Sequence, residues 1–175
     1  MFIRLSLMQL FNTSILISFF SLLAISSAGA ETLNFRVFSY YTKVEVMPIG
    51  FVKAPASIIY EKRGLADIEN GGIALFLARG SVKATPEVRT IDGYTLLTFE
   101  DGSTIIYDLD MKGAKSESTQ QNYYTGTGKI IQGTGRFVGI QGEITINGQG
   151  LTEYNDETKG DAYFDVTANY SIPSK

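Results

Sequence analysis

The stretch YTLLTFEDGSTIIYDLD, Tyr94 to Asp110, decides how the rest of the chain is read. Two runs rich in aromatic and β-branched residues, Tyr94 to Phe99 and Thr104 to Asp110, flank Glu100-Asp101-Gly102-Ser103. An Asp-Gly pair between such runs predicts a hairpin, because glycine accepts the positive φ that a tight turn demands. The stretch is therefore read as two antiparallel strands.

The same signals recur on both sides. Leu33, Phe35 and Val37 alternate with Asn34, Arg36 and Phe38, the pattern of a half-buried strand. Val44 and Val46 alternate with Lys43 and Glu45 until Pro48 and Gly50 interrupt. Ala56 to Glu61 and Ile73 to Arg79 are further strand candidates, separated by the polar stretch Lys62 to Gly72. Residues 111–122 are polar and rich in Ser and Gln, which predicts a loop or a strand crossing. Tyr123 to Ile131, Gly142 to Asn147 and Tyr163 to Ile172 complete the set. In the last of these, Phe164, Val166, Ala168, Tyr170 and Ile172 share one face. About eight short strands and no long helical period predict an all-β barrel or sandwich. A single antiparallel eight-stranded barrel is the preferred reading, since closure removes edges that would otherwise invite aggregation.

The first residues read as an export signal. Arg4 supplies positive charge, Ile15 to Ile25 is apolar apart from Ser18 and Ser21, and Ala28-Gly29-Ala30 offers a small-x-small cleavage site. Cleavage there would remove residues 1–30 and leave residues 31–175 as one domain, periplasmic or secreted, from a source that is more readily bacterial. No stable membrane span is expected after processing.

Composition excludes much chemistry. The chain has no histidine and no cysteine, which removes Ser-His-Asp and Cys-His nucleophile pairs, ordinary zinc sites and thiol chemistry. With 15 basic and 18 acidic residues and no block of like charge, nothing marks a nucleic-acid partner. Asp108 to Gly113 begins like a calcium loop, but Lys112 and Thr119 stand at ligand positions, so no metal is expected.

Eight of the 18 glycines lie between Gly126 and Gly150. Neither phosphate-binding pattern fits them: Gly128-Lys129 is followed by Ile130, and Gly133-x-Gly135 by Val138 where a third glycine would stand. Nucleotide cofactors are thus not expected. Glycines in strands more often mark bends and close backbone approach.

The segment Gly133-Thr134-Gly135-Arg136-Phe137-Val138-Gly139-Ile140-Gln141-Gly142 resembles the GGTGRFxGxxG segment of allene oxide cyclase and dirigent-like barrels, with Gln132 in place of the first glycine. The resemblance implies an eight-stranded antiparallel barrel of calycin type. It also implies a cofactor-free protein that holds a reactive apolar molecule in a fixed conformation. Within the segment, Gly133, Thr134, Gly135, Arg136, Phe137, Gly139 and Gly142 form a structural motif, in which Thr134 and Arg136 tie a turn and Phe137 plugs one barrel end.

Candidate site residues are few. Glu45, between two valines, could project a carboxylate inward and act in proton transfer, although it shares its face with Lys43. Tyr60, Tyr94 and Tyr107 could line a cavity. Three functions follow: a barrel binding a small apolar or aromatic molecule, a cyclase- or dirigent-like enzyme acting by confinement, and a structural or interaction barrel filled by its own side chains. Relatives that assemble through barrel faces suggest a homo-oligomer.

Overall fold

The computed structural model describes residues 29–50, 55–85, 87–155 and 157–173; most of the expected export signal lies outside them. Eight strands follow in order: β1 Glu31–Pro48, β2 Ala56–Ile68, β3 Gly72–Ala84, β4 Val88–Thr98, β5 Thr104–Lys115, β6 Asn122–Gly133, β7 Gln141–Gly150 and β8 Ala162–Ser171. Each pairs antiparallel with the next, and β8 returns to β1 from Glu31↔Tyr170 to Ser39↔Ala162, closing the barrel. The all-β, eight-stranded antiparallel fold read from the sequence is the fold observed.

Period-two alternation explains which side chains fill it. Along β5, Ile105, Tyr107, Leu109 and Met111 are buried; along β8, Ala162, Phe164, Val166 and Ala168 are. Ion pairs such as Arg36–Asp165, at 2.6 Å, occupy the outer face. The interior is apolar, and the exterior mixes charged side chains with exposed apolar ones such as Phe38, Leu65 and Leu75. Among the described residues, no helix is long and apolar enough to cross a membrane.

Several boundaries differ from those read in the sequence. The runs at Leu33–Phe38 and Lys43–Val46 form one strand, β1, joined through a bulge between Tyr41 and Lys43. The bulge reverses the alternation: Val37 is buried and Tyr41 points in before it, whereas Val44 and Val46 face the interior after it. The polar stretch after Glu61 is largely strand, since β2 continues to Ile68, where Ala66 and Ile68 are buried. Residues 111–122 hold no crossing. β5 runs to Lys115 and β6 starts at Asn122 in a simple up-and-down order.

Close backbone approach accounts for glycines inside strands. Gly80 of β3 faces Gly93 of β4, and a Cβ on either would overlap the opposing backbone, at Asp92 and Arg79 respectively. Tyr60 stands beside Gly80 in the register, so a large inward ring neighbours two residues without side chains.

Candidate functional site

The two ends of the barrel are built differently. At one end lie the connections 69–71, 99–103 and 134–140. Here Gly135–Phe137 forms a single 3-10 turn, and Phe137 is buried with its ring 4.8 Å from that of Phe99. The turn is tied to the β4–β5 hairpin: Arg136 N donates to Ser103 Oγ at 3.1 Å, and the Arg136 guanidinium donates to Asp101 at 3.0 Å. Thr134 Oγ1 accepts from Thr104 N at 3.1 Å. Gly135 sits at φ +59°, a conformation that disfavours a side chain, and its Cα faces the Ser103 side chain. The backbone N–H of Ser103 holds the Asp101 carboxyl below its usual range, with Arg136 adding to the effect. This end is plugged and cross-tied.

The other end, where β1, β3, β5 and β7 finish, is open among the described residues. Val44, Val46, Ile58 and Val82 form apolar walls of a cup of about 340 Å³, rimmed by Thr152, Glu153 and Tyr154 from the β7–β8 connection. Its volume lies at the lower end of the range for small-molecule pockets. Tyr41, Lys62, Ile91 and Tyr124 belong both to this cup and to a void of about 40 Å³ further in. Beyond them the barrel interior is filled by its own side chains.

Lys62 is the exceptional residue of the cup. It is 7% exposed. Its Nζ lies 4.2 Å from the centre of the Tyr41 ring and 5.4 Å from that of Phe164. Among the described residues it has no ion-pair or hydrogen-bond partner. Burial pushes the ammonium down to about 8, and the field of Asp161 opposes the shift without cancelling it.

Its neighbour Glu61 has the opposite surroundings. That carboxylate faces outward and accepts from Thr42 at 2.8 Å, Arg79 at 2.8 Å and Arg63 at 3.0 Å. These hydrogen bonds, that of Thr42 first, hold it at about 2. One step along a strand separates a carboxylate met by three donors from an ammonium that, among the described residues, meets aromatic rings and no ion-pair partner.

Aromatic rings support the cup. Tyr41 packs edge-on against Tyr60 at 5.9 Å and Tyr154 at 5.6 Å, while Tyr124 packs against Phe164 at 5.8 Å. Arg89 donates to the Tyr124 hydroxyl at 3.3 Å. Burial raises the Tyr41 hydroxyl to about 12, with a further push from Tyr124.

The candidate residues separate by face. Tyr60 and Tyr107 are buried and line the inner void, and burial raises both hydroxyls far above the ordinary tyrosine range. Tyr94 is 62% exposed on the outer surface, because Thr95 and Leu97 take the inward positions of β4. Glu45 also lies outside, its carboxylate 3.8 Å from Lys43 Nζ. The bulge at Thr42 puts Val44 and Val46 inward instead, so Glu45 is no part of the cup. The Gly133–Gly142 segment belongs to the plugged end. Lys62 escaped the sequence reading because its strand was ended at Glu61. The signal lay in Ile58, Tyr60, Ala66 and Ile68, whose even spacing places Lys62 on the inward face.

By sequence, the chain matches no protein-family model and no curated protein. Its fold is similar to the crystal structure of a conserved protein of unknown function from Rhodopseudomonas palustris. The TM-score is 0.51 at 10% identity, over 81% of this chain and 98% of that one. The likeness concerns the fold alone.

Proposed function

We propose that this chain is an exported, cofactor-free barrel that holds one small apolar or aromatic molecule in its open end. The cup carries this reading: a space of about 340 Å³ with apolar walls and aromatic rings at depth, Lys62 buried at its floor and a polar rim that includes Arg89, Glu153 and Asp161. Pockets for small molecules have this composition, mostly apolar with few polar groups to orient the guest. At about 30 Å³ for a water's share of volume, the cup encloses roughly ten non-hydrogen atoms. Export rests on the apolar run Ile15–Ile25 and the Ala28-Gly29-Ala30 site.

Kinship with allene oxide cyclase and dirigent-like barrels belongs to the same proposal and rests on the Gly133–Gly142 segment. It extends the reading from binding to confinement of a reactive guest. A second reading, a barrel acting through its surface, is favoured by the small inner void of about 40 Å³. It also draws on the outer row Phe38, Leu65 and Leu75, adjacent in register and all exposed, through which two copies could associate.

The test is displacement of an apolar fluorescent probe by octanol and by 3-phenylpropanol. Both alcohols should displace it from the wild-type protein. Ala84→Trp, which fills the mouth, should abolish displacement while leaving the thermal transition in place. A probe that never binds, or binds the filled variant equally, contradicts a cup that takes guests.

A further inference from the structure

Lys62 combines three properties that are seldom found together. It is buried in an apolar, aromatic site, it has no carboxylate partner among the described residues, and it stands at the floor of a cup open to entering molecules. A lysine present only for packing would be better replaced by an apolar residue, since a buried unpaired ammonium is costly. A lysine serving the surface would pair outward, as Arg63 and Arg79 do with Glu61.

We propose that Lys62 is a nucleophilic amine that forms an imine with an apolar aldehyde or ketone seated in the cup. The proposal rests on the reading of the open end as a binding site and assigns the reactive class of its guest. The ammonium first loses a proton to solvent. The Nζ lone pair then adds to the carbonyl carbon, forming the C–N bond as the C=O π pair moves onto oxygen. Proton transfer from nitrogen to that oxygen gives a carbinolamine. Loss of its hydroxyl with the remaining nitrogen proton, as water, leaves a neutral C=N bond. The sum is ammonium plus carbonyl giving imine, water and one proton, with no redox partner required.

The site favours the product. A buried cation is replaced by a neutral group, and an apolar tail covers the walls formed by Val44, Ile58 and Val82. Desolvation of a lysine in an apolar pocket is also a recognised route to amine activation. The titratable groups facing the cup are Tyr41 from β1, Arg89 from β4, Tyr124 from β6, and Glu153, Tyr154 and Asp161 before β8. Arg89 favours the neutral amine, whereas Glu153 and Asp161 favour the cation. Burial outweighs them, leaving Lys62 titrating near 8. At pH 7 about one amine in ten is then unprotonated, against a few in ten thousand for an ordinary lysine. Even allowing for a weaker intrinsic nucleophile at lower basicity, a rate advantage of about tenfold or more remains.

The experiment treats the protein with octanal, and separately with 3-phenylpropanal, in the presence of cyanoborohydride, then maps modified lysines by peptide mass. Lys62 should be labelled at least about tenfold faster than exposed Lys83, Lys112 and Lys129. Octanol should protect Lys62 and leave the exposed lysines unaffected. In Lys62→Met and Lys62→Arg the fast-labelled site should disappear while labelling elsewhere persists, and a cooperative thermal transition verifies that each variant folds. Labelling spread evenly over exposed lysines, or slowest at Lys62, overturns the imine. If octanol occupies the cup under those conditions, the binding reading survives alone; if octanol does not enter either, both fall. Octanoate binding without octanal labelling would identify an anion site and overturn the imine equally.

Discussion

The two ends of this barrel carry the same eight strands and the same alternation, yet they solve opposite problems. At the plugged end every prominent group has a partner: Phe137 meets Phe99, Arg136 meets Asp101 and Ser103, and Thr134 meets Thr104. At the open end an ammonium sits against aromatic rings with no ion-pair partner among the described residues, beneath a cup that those residues leave unfilled. Satisfied groups at one end, and a conspicuous unsatisfied one at the other, separate the part that holds the fold from the part available for chemistry. Real proteins tolerate such a local inconsistency mainly where function requires it.

The largest expected effect lies at the plugged end. Phe137→Ala removes a buried ring and should lower unfolding free energy by about 3–5 kcal/mol, measured by urea denaturation. Probe binding at the open end should survive under native conditions. If Phe137→Ala destroyed binding in a protein still folded, the division between the ends would be wrong.

At the open end the sign reverses. Lys62→Met removes a buried charge and keeps the volume, so it should stabilise the protein by roughly 2–3 kcal/mol at pH 7. A loss of stability would mean that the ammonium is well solvated or paired.

The alkaline pH dependence should be smaller, with a definite direction. Between pH 8 and about 10 the unfolded chain retains a lysine proton that the folded chain has lost. Stability should therefore rise across that window, by about 1–2 kcal/mol. Above pH 10 the trend should turn, because Tyr41, Tyr60 and Tyr107 stay protonated when folded and ionise when unfolded. In Lys62→Met the rise should vanish and the fall remain. Denaturation series at pH 7, 8, 9 and 10 check both.

The smallest effect should come from Glu45→Gln. With its carboxylate outside the barrel and its ion pair with Lys43 exposed, stability should change by less than about 0.5 kcal/mol, and probe binding should not change. A large loss of binding would restore Glu45 to the site.

How much of this was legible in the sequence depended on how far alternation ran unbroken. The Tyr94–Asp110 hairpin and the last strand were plain, because turn chemistry and period two agree there. Tyr60, Tyr94 and Tyr107 read alike in the sequence as cavity candidates, and only the strand faces separate exposed Tyr94 from the other two. The bulge at Thr42 was not legible, since a single extra residue leaves no compositional mark while reversing every face after it. Glu45 stayed open in the sequence as an inward candidate sharing its face with Lys43, and the bulge fixes that face outward. Lys62 was hidden by a different assumption, that a charged residue ends a strand. Lys62, Arg63 and Asp67 interrupt β2 in composition, but closure of the barrel pairs β2 on both sides through Ile68 and overrides local polarity. The plugged end was read from its glycines and Phe137, although the partners Asp101 and Ser103 lie some thirty residues away and only the fold brings them together.

The most direct measurement is the titration of Lys62 itself, followed through its ε-carbon and proton resonances in isotopically labelled protein, with Lys62→Met for assignment. A midpoint near 8, well separated from the exposed lysines, is expected for an amine desolvated at the floor of the open cup. A midpoint near the ordinary 10.4, unchanged when octanol is added, would contradict it and leave the two ends of the barrel chemically alike.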